Sequence, residues 1–208
     1  AREPEGPFGE FTGYFSARST EHVFRVHCVS MRESPWFQSI ASGQAGDHRT
    51  TSGLLREAEV RNALRRSIPG VKDVHVPLSG GSALTAFVSL RQTRPGEAKH
   101  AIAITMGVDH YLKFVVIVDD DVDVFNESDV LWALSTRVQA DRDLVIISGS
   151  LGAILDPSAT EQGLTAKLGI DATKPMGDPF AERLLMDAGK AAWARSLAER
   201  LTADGATA

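Results

Sequence analysis

Two glutamates, Glu5 and Glu10, flank a Gly-Pro-Phe-Gly turn near the beginning of the sequence. Proline fixes its own φ and glycine permits close approach of the backbone, so this turn can bring both carboxylates to one side. Neighbouring carboxylates repel each other, which favours keeping one of them protonated near neutral pH. The spacing is compatible with a proton donor, but surface glutamates beside a turn are the more common explanation of such a pair.

A second group of carboxylates follows the apolar run VVIV and comprises Asp119, Asp120, Asp121 and Asp123. Open α/β sheets bind ligands at the carboxyl ends of their strands, and hard cations such as Mg²⁺ prefer carboxylate oxygens. The spacing resembles the Asp-x-Asp motif of nucleotide-sugar transferases. The favoured interpretation is structural, with the aspartates capping turns and helix starts, because neither a glycine-rich phosphate loop nor a histidine cluster accompanies them.

The remaining reactive residue types carry weaker signals. The six histidines have none of the spacings typical of a metal site, so no metal ligand set is predicted in this chain. His48 is the exception of interest, because it falls in the Gly-rich segment 41–53, which is predicted to be a loop or linker. The single cysteine, Cys28, has no disulfide partner and is predicted to be a buried strand residue.

The composition is that of an ordinary globular protein: 208 residues, 43% hydrophobic and 24% charged, with a net charge of −5. Acidic and basic residues are mixed along the chain, which excludes the basic stripe expected of a nucleic-acid-binding protein. No apolar run approaches the ~20 residues of a membrane span, and no signal peptide is recognised, so a cytoplasmic location is predicted.

Alternating strand and helix patterns must position these groups. They predict an α/β fold with a mixed or partly parallel sheet and flanking helices. Helix 127–137 has Asn126 or Ser128 as its cap. The predicted strands are in 13–31, 71–77, 83–90, 113–118 and 143–148, with a hairpin joining the second and third, and the predicted helices are 53–67, 96–107, 127–137 and a long pattern over 179–201.

Five segments occur in consistent order from about Glu5 to Pro175: EGPFGEFTGY, VVIVDDDVDVFNESDVLWALSTR, DLVIISG, LDPSA and KLGIDATKP. Together they resemble the UbiD-type decarboxylases. Those enzymes use prenylated FMN to remove or add CO2 on aromatic and α,β-unsaturated acids. In that family the aspartate run is not a metal site, which weakens the transferase interpretation further.

The resemblance implies roles for individual residues. Glu10 matches the family's proton donor, which protonates the substrate carbon after CO2 leaves, and Glu5 matches the glutamate that supports a catalytic arginine absent from this chain. Phe11, next to Glu10, would face the substrate. Approximate placement against the family puts four further residues in segments that line or close the pocket: His48, Ser52, Ala153 and Leu155.

The resemblance also implies an architecture. Family members are usually more than twice this long, and their N-terminal half carries the arginine, most contacts to the flavin phosphate, and the ligands of a divalent metal (Mn or Mg) and of K. Residues 1–45 would be the last strands of a flavin-binding split β-barrel, 46–178 a C-terminal α/β oligomerisation domain, and 179–208 a C-terminal helix and tail.

This organisation leaves two expectations for function. In the first, the chain is the C-terminal part of a carboxy-lyase and is inactive, without a cofactor of its own, until joined to the N-terminal half. In the second, it is a non-catalytic dimerisation or assembly domain. Both expect a homodimer or a larger homo-oligomer built through the C-terminal domain.

Overall fold

The computed structural model describes residues 1–44, 46–184 and 186–205. The chain divides into one compact unit, Ala1–Met176, and a second unit, Gly177–Ala208. Three predictions touch residues outside this description: the boundary near residue 45, the helical pattern where it crosses Leu185, and the end of the tail at 206–208.

Among the described residues, the first unit contains two sheets and three helices, and the second contains one helix. In chain order the elements are β1 (Arg2–Glu5), β2 (Ser19–His22), α1 (Gly46–Ser67), β3 (Val71–His75), β4 (Thr85–Leu90), α2 (Glu97–Val108), β5 (Phe114–Asp119), α3 (Glu127–Arg137), β6 (Leu144–Leu151), β7 (Leu164–Ala172) and α4 (Ala188–Gly205).

The main sheet has five strands in the order β3-β4-β5-β7-β6. Strands β4, β5 and β7 are parallel, whereas β3 and β6 pair antiparallel at the two edges. The centre is β5, whose run of valine and isoleucine is buried on both faces, as expected of a central parallel strand. The predicted α/β class with a mixed sheet and flanking helices is confirmed, as is the hairpin of β3 and β4.

Helices cover the two faces of this sheet unequally. One face packs against α1 and α2 in a core that includes Leu64, Ile102 and Ile117. The other face packs against α3 in a smaller core around Val116 and Val130. Because α3 is the one helix of the first unit on its face, part of that face is left open.

Helix α1 begins at Gly46, so the prediction of a loop over 41–53 is wrong from residue 46 onward. The small and polar residues of this segment have weak helix propensity, but tertiary contacts can outweigh propensity. Gly53 is buried, and the Arg49 side chain is hydrogen-bonded to Ser82, far along the chain. Asp47 in the first turn also suits the positive end of the helix dipole. His48 is therefore a helical residue and not a loop residue.

The N-terminal segment forms less β structure than its alternating pattern predicts. β1 and β2 pair antiparallel in a two-stranded sheet, and no strand is assigned between residues 23 and 31. Without a neighbouring strand, the alternating side chains of this stretch cannot be buried against a sheet partner. The prediction that Cys28 is a buried strand residue is wrong, because Cys28 is exposed and lies outside the strands.

Two strands at one side of the sheet also differ from expectation. β6 was expected to be buried, but it is an edge strand with Ile146 and Ile147 exposed. β7 was not predicted, since Lys167 and Gly169 interrupt its apolar pattern. The glycine has a packing reason: a Cβ built there would lie 2.2 Å from Cγ2 of Ile102 on α2. In the second unit, α4 begins at Ala188 and not at residue 179.

Candidate active site

A cavity of about 240 Å³ lies at the edge of the main sheet where the parallel strands begin. Ser82 and Ala83 line it just before β4, and Tyr111 lines it just before β5. The complete lining is Glu10, Phe11, His48, Arg49, Ser52, Arg56, Ser82, Ala83, Tyr111 and Leu155. Five stretches of the chain that are distant in sequence therefore meet here: the N-terminal segment, α1, the turn before β4, the loop before β5 and the loop that carries Leu155.

A tight turn holds Glu10 in the cavity wall. The Gly13 amide donates to the Glu10 carbonyl at 2.9 Å, and the Glu10 amide donates to the Tyr14 carbonyl at 2.9 Å. Gly13 has φ +83°, and a Cβ at this position would lie 2.3 Å from Nε2 of Gln44. The turn therefore favours glycine for its left-handed backbone, whereas the flexible end of the Gln44 side chain could move to make room for a Cβ.

One face of α1 supplies the polar wall. His48, Ser52 and Arg56 are spaced four residues apart, which places them on the same side of a helix, and Arg49 lies beside them. Nδ1 of His48 is buried, and no hydrogen-bond partner for it is found in the described part of the chain. A buried ring nitrogen without a partner is available to a ligand or to another protein segment.

Arg56 is held by a polar and aromatic cluster. Its guanidinium forms an ion pair with Asp109 and lies 4.9 Å from the ring centroid of Tyr111, and Nε donates to the Ser52 hydroxyl at 3.4 Å. Burial lowers the pKa of Arg56 from its ordinary value. Tyr111 stacks in turn on Phe11, with the ring centroids 6.3 Å apart. The cluster joins the N-terminal segment to the α/β layer.

Arg49 is held differently. Its Nε donates to the Ser82 hydroxyl at 3.1 Å, and no ion pair is found for it among the described residues. Ser82 is 1% exposed and has φ +60°, a left-handed conformation that residues other than glycine rarely adopt.

An ion pair fixes the loop that carries Leu155. Nζ of Lys113 lies 2.8 Å from Asp156 and 2.5 Å from the Ser158 hydroxyl. Burial alone would raise the pKa of Asp156, but hydrogen bonds from Lys113 and Ser158 outweigh it, and the pKa lies below its ordinary value. The neighbouring Leu155 is thus attached to a loop with a defined position.

A second cavity of about 460 Å³ adjoins the first, and Glu10 and Leu155 line both. Its other walls are the segment 12–17 and the loop 154–161, with Tyr14, Phe15 and Ile154 among the lining residues. Glu10 therefore stands between two cavities, one with two arginines in its wall and one with aromatic and aliphatic walls.

The structure brings together five of the seven residues named from the sequence: Glu10, Phe11, His48, Ser52 and Leu155 all line the first cavity. Glu5 does not, since it is exposed at the end of β1, and Ala153 is buried without lining the cavity.

Sequence reasoning missed the other lining residues, Arg49, Arg56, Ser82, Ala83 and Tyr111. The spacing of four from His48 to Ser52 to Arg56 was a usable signal, but the loop prediction for 41–53 concealed it. No comparable signal marked the residues outside α1.

The aspartate run forms a separate ion-pair cluster at the opposite, carboxyl edge of the sheet. Arg137 donates to Asp119 at 2.6 Å and to Asp121 at 3.0 Å, and Nζ of Lys174 lies 2.9 Å from Asp121. Asp123 accepts the Phe125 amide at 3.0 Å, as the structural interpretation predicted. No group of three or more acidic, histidine or cysteine side chains suited to a metal ion is found in the described ranges, so the transferase interpretation gains no support.

The pKa values of the two aspartates of this cluster shift in opposite directions. Burial raises the pKa of Asp119 above its ordinary value, against the opposing effects of Lys174 and Arg137. Burial also favours a raised pKa for Asp121, but the hydrogen bonds from Arg137 and Lys174 have the larger effect, and the pKa of Asp121 is lowered.

An α/β layer with a carboxylate, two arginines and aromatic rings around one cavity is typical of an enzyme that acts on a small organic acid. Two family models match the chain. The 3-octaprenyl-4-hydroxybenzoate carboxy-lyase C-terminal domain matches residues 49–172, and the Rift-related domain of the same family matches residues 1–45. The chain belongs to the UbiD family of carboxy-lyases, as the resemblance indicated.

Individual relatives agree with this assignment. The anhydromevalonate phosphate decarboxylase of Methanocaldococcus jannaschii is 36% identical over 82% of this chain and 41% of its own length. The UbiD-class enzyme HmfF of Pelotomaculum thermopropionicum, in complex with FMN, has a TM-score of 0.84 and 36% identity over 89% of this chain and 42% of that one. An evolved dimeric form of HmfF, in complex with prFMN, has a TM-score of 0.76 and 31% identity, over 91% and 40%. The chain thus spans about two fifths of the length of these relatives.

Across the described helices, none combines the length and apolar character needed to cross a membrane.

Proposed function

We propose that this chain is the C-terminal part of a decarboxylase that removes CO2, reversibly and without net oxidation, from an aromatic or α,β-unsaturated carboxylic acid. The observation that carries the proposal is the position of Glu10, the residue that matches the family's proton donor. It lies in the wall of a cavity that also contains Arg49, Arg56 and Tyr111. Cations suit an anionic substrate, and a carboxyl group in the same wall suits proton transfer to it.

The cofactor proposed for the complete enzyme is prenylated FMN, since relatives are known in complex with FMN or prFMN. The walls of the second cavity, including Tyr14, Phe15 and Ile154, fit an apolar ring system beside Glu10. No lysine, arginine or histidine is among the lining residues of that cavity, so they do not fit the flavin phosphate. The phosphate contacts, the divalent metal (Mn or Mg) and K are therefore proposed to depend on the N-terminal half.

The chain's own residues would bind the acid and deliver a proton. When bound, the prenylated flavin would supply an electron-accepting ring system for the decarboxylation. Phe11 and Tyr111 offer aromatic surface to the substrate, and Glu10 gives its proton to the substrate carbon from which CO2 has left. Glu5, exposed at the end of β1, is accessible to the arginine that the family pattern expects from the N-terminal half.

The test is Glu10→Gln in the complete, flavin-loaded enzyme. Glutamine keeps the size and polarity of glutamate but cannot donate the proton, so turnover is expected to fall by about 10²–10⁴-fold. The absorbance of bound flavin should stay unchanged, which separates lost chemistry from lost cofactor. Glu3→Gln is the matched control, since Glu3 is an exposed glutamate of β1. Near-normal turnover of Glu10→Gln would exclude the assigned role.

An assembly role is the second candidate, favoured by the open part of the sheet face beside α3. Phe114 pairs in register with Leu168, and Leu168 with Ile146, which forms an apolar row across three strands. Phe114 is 41% exposed and Ile146 is 65% exposed. Exposed apolar residues in a continuous patch often mark an interface, so this row is the proposed contact of a homodimer. Assembly and catalysis are compatible, and a cytoplasmic location stays part of the proposal.

A further inference from the structure

Building on the proposed function, we infer that the substrate carries a second anionic group besides the carboxylate that it loses, and that Arg49 binds this second group. The inference depends on three observations. Arg49, Ser82 and the first turn of α1 lie together in the cavity wall. Arg56 has a carboxylate partner, whereas none is found for Arg49 in the described ranges, and the carboxylate that leaves loses its charge during decarboxylation.

The two arginines of the cavity differ in whether a carboxylate compensates their charge. Asp109 compensates Arg56, and Tyr111 covers its guanidinium plane. Arg49 has a neutral partner, the Ser82 hydroxyl, and no carboxylate partner for it is found within the described ranges. That bond uses Nε, which leaves the two terminal nitrogens free to form the paired hydrogen bonds that a carboxylate or phosphate accepts.

Ser82 holds Arg49 from an unusual backbone position. A non-glycine residue with φ +60° carries strain, which persists where the surrounding structure requires it and is frequent at ligand sites. The Ser82 amide donates to the Pro77 carbonyl at 3.2 Å, so the turn is itself held in place. The direction of the Arg49 side chain is thus set by a buried hydroxyl on a fixed turn and not by solvent.

The position of Arg49 along α1 adds a second reason to expect an anion. It lies in the first turn of a 22-residue helix, where the helix dipole already presents positive charge. A cation at this end is unfavourable. Asp47 accepts the His48 amide and compensates the terminus itself, so a bound oxyanion would compensate the guanidinium of Arg49.

The chemistry indicates which anion this is. The carboxylate that leaves as CO2 loses its charge during the reaction, so an arginine bound to it contributes to binding and orientation more than to stabilising the transition state. An anionic group that keeps its charge throughout has no such limitation and anchors the acid for turnover. A phosphate monoester and a second carboxylate share this chemistry. The name of the Methanocaldococcus jannaschii relative specifies an acid that also bears a phosphate.

The experiment measures binding by titration calorimetry to the flavin-free full-length protein, in which no turnover can occur. Two matched pairs of acids are compared: anhydromevalonate phosphate with anhydromevalonate, and pent-2-enedioate with pent-2-enoate. In the unmodified protein one or both dianions should bind about 10–100-fold more tightly than the matched monoanion, as charge-assisted hydrogen bonds predict. The pair that shows the preference distinguishes phosphate from carboxylate.

Arg49→Gln should reduce this preference to about threefold or less, because the added anion loses its charged partner. Arg66→Gln, an exposed position on the same helix, should leave it unchanged. If Arg49→Gln does not fold, Arg49→Lys serves instead, with a reduced preference expected because lysine cannot pair in the same forked geometry. An unchanged preference in the Arg49 variant that folds, or no preference in the unmodified protein, would overturn the inference. Because no turnover is measured, this result is independent of the Glu10→Gln test.

Discussion

Replacing Arg137 tests whether the aspartate run is structural. The Arg137 side chain is 1% exposed and donates three hydrogen bonds, one to Asp119 and two to Asp121. Arg137→Met would leave the two carboxylates beside Lys174 with one cation fewer. Removing one partner of a buried ion pair costs about 3–5 kcal/mol. The lower end applies here, because Asp119 and Asp121 retain 17% and 27% side-chain exposure.

A loss of about 3 kcal/mol corresponds to a fall in Tm of roughly 6–12 °C for a chain of this size. The assay is urea unfolding at pH 7 together with a thermal scan. The effect should shrink on acidification, because burial already holds the pKa of Asp119 above its ordinary value and protonation would remove the uncompensated charge. Stability of the variant should therefore approach that of the unmodified protein as the pH falls from 7 toward 4.

Arg142→Met provides the matched control. The Arg142 side chain is 63% exposed and 3.5 Å from Asp143, an arrangement expected to contribute less than about 1 kcal/mol. Equal effects of the two substitutions would refute the structural interpretation. So would a rise in Tm on addition of Mg²⁺ or Mn²⁺ that requires Asp119 and Asp121, since a ligand stabilises the folded state that binds it.

Two further predictions concern the Leu155 loop and the open sheet face. Asp156→Asn should lower the free energy of unfolding by about 1–3 kcal/mol at pH 7, because Lys113 loses its charged partner. The pKa of Asp156 is lowered in the folded state, so this stabilisation is present above the pKa of the unfolded state and is lost as the pH falls through the pKa of the folded state. The free energies of unfolding of the two proteins, measured in urea, should therefore converge on acidification. A difference that stays constant with pH would contradict this prediction. Ile146→Lys should dissociate the proposed homodimer in sedimentation velocity, whereas Ile147→Lys, exposed on the opposite face of β6, should not, and a dimer that survives Ile146→Lys would exclude this face.

Elements with strong local signals were predictable from the sequence. Helix α3 spans Glu127–Arg137 as predicted, and the Asn126 side chain caps it by accepting the Ser128 amide. The predicted helix 96–107 differs from α2 by one residue at each end. In α3 the cap, the charges of the first and last turns and the apolar period all agree, and in α2 the apolar period agrees with Glu97 in the first turn, so little depends on distant residues.

Elements defined by tertiary contacts were not predictable in the same way. The first turns of α1 read as a Gly-rich loop, and β7 lacks an apolar run because Gly169 makes room for Ile102 of α2. The cavity has the same origin. Arg49 and Tyr111 become neighbours of Glu10 only when three distant segments pack together in the fold. The residue spacing within any one of these segments does not predict that contact.

The location of the cavity contradicts the general rule for open α/β sheets, and the side chains explain why. The rule places ligands at the carboxyl ends of the strands, where Asp119 and Asp121 lie. A cavity lined by Asp120, Asp121 and Asp123 does lie at that edge, but Arg137 and Lys174 already form ion pairs with Asp119 and Asp121 there. The opposite edge is free to receive the N-terminal segment, which brings Glu10 to the amino ends of β4 and β5. Charges that contribute to stability and charges available to a substrate are thus separated by the length of the parallel strands.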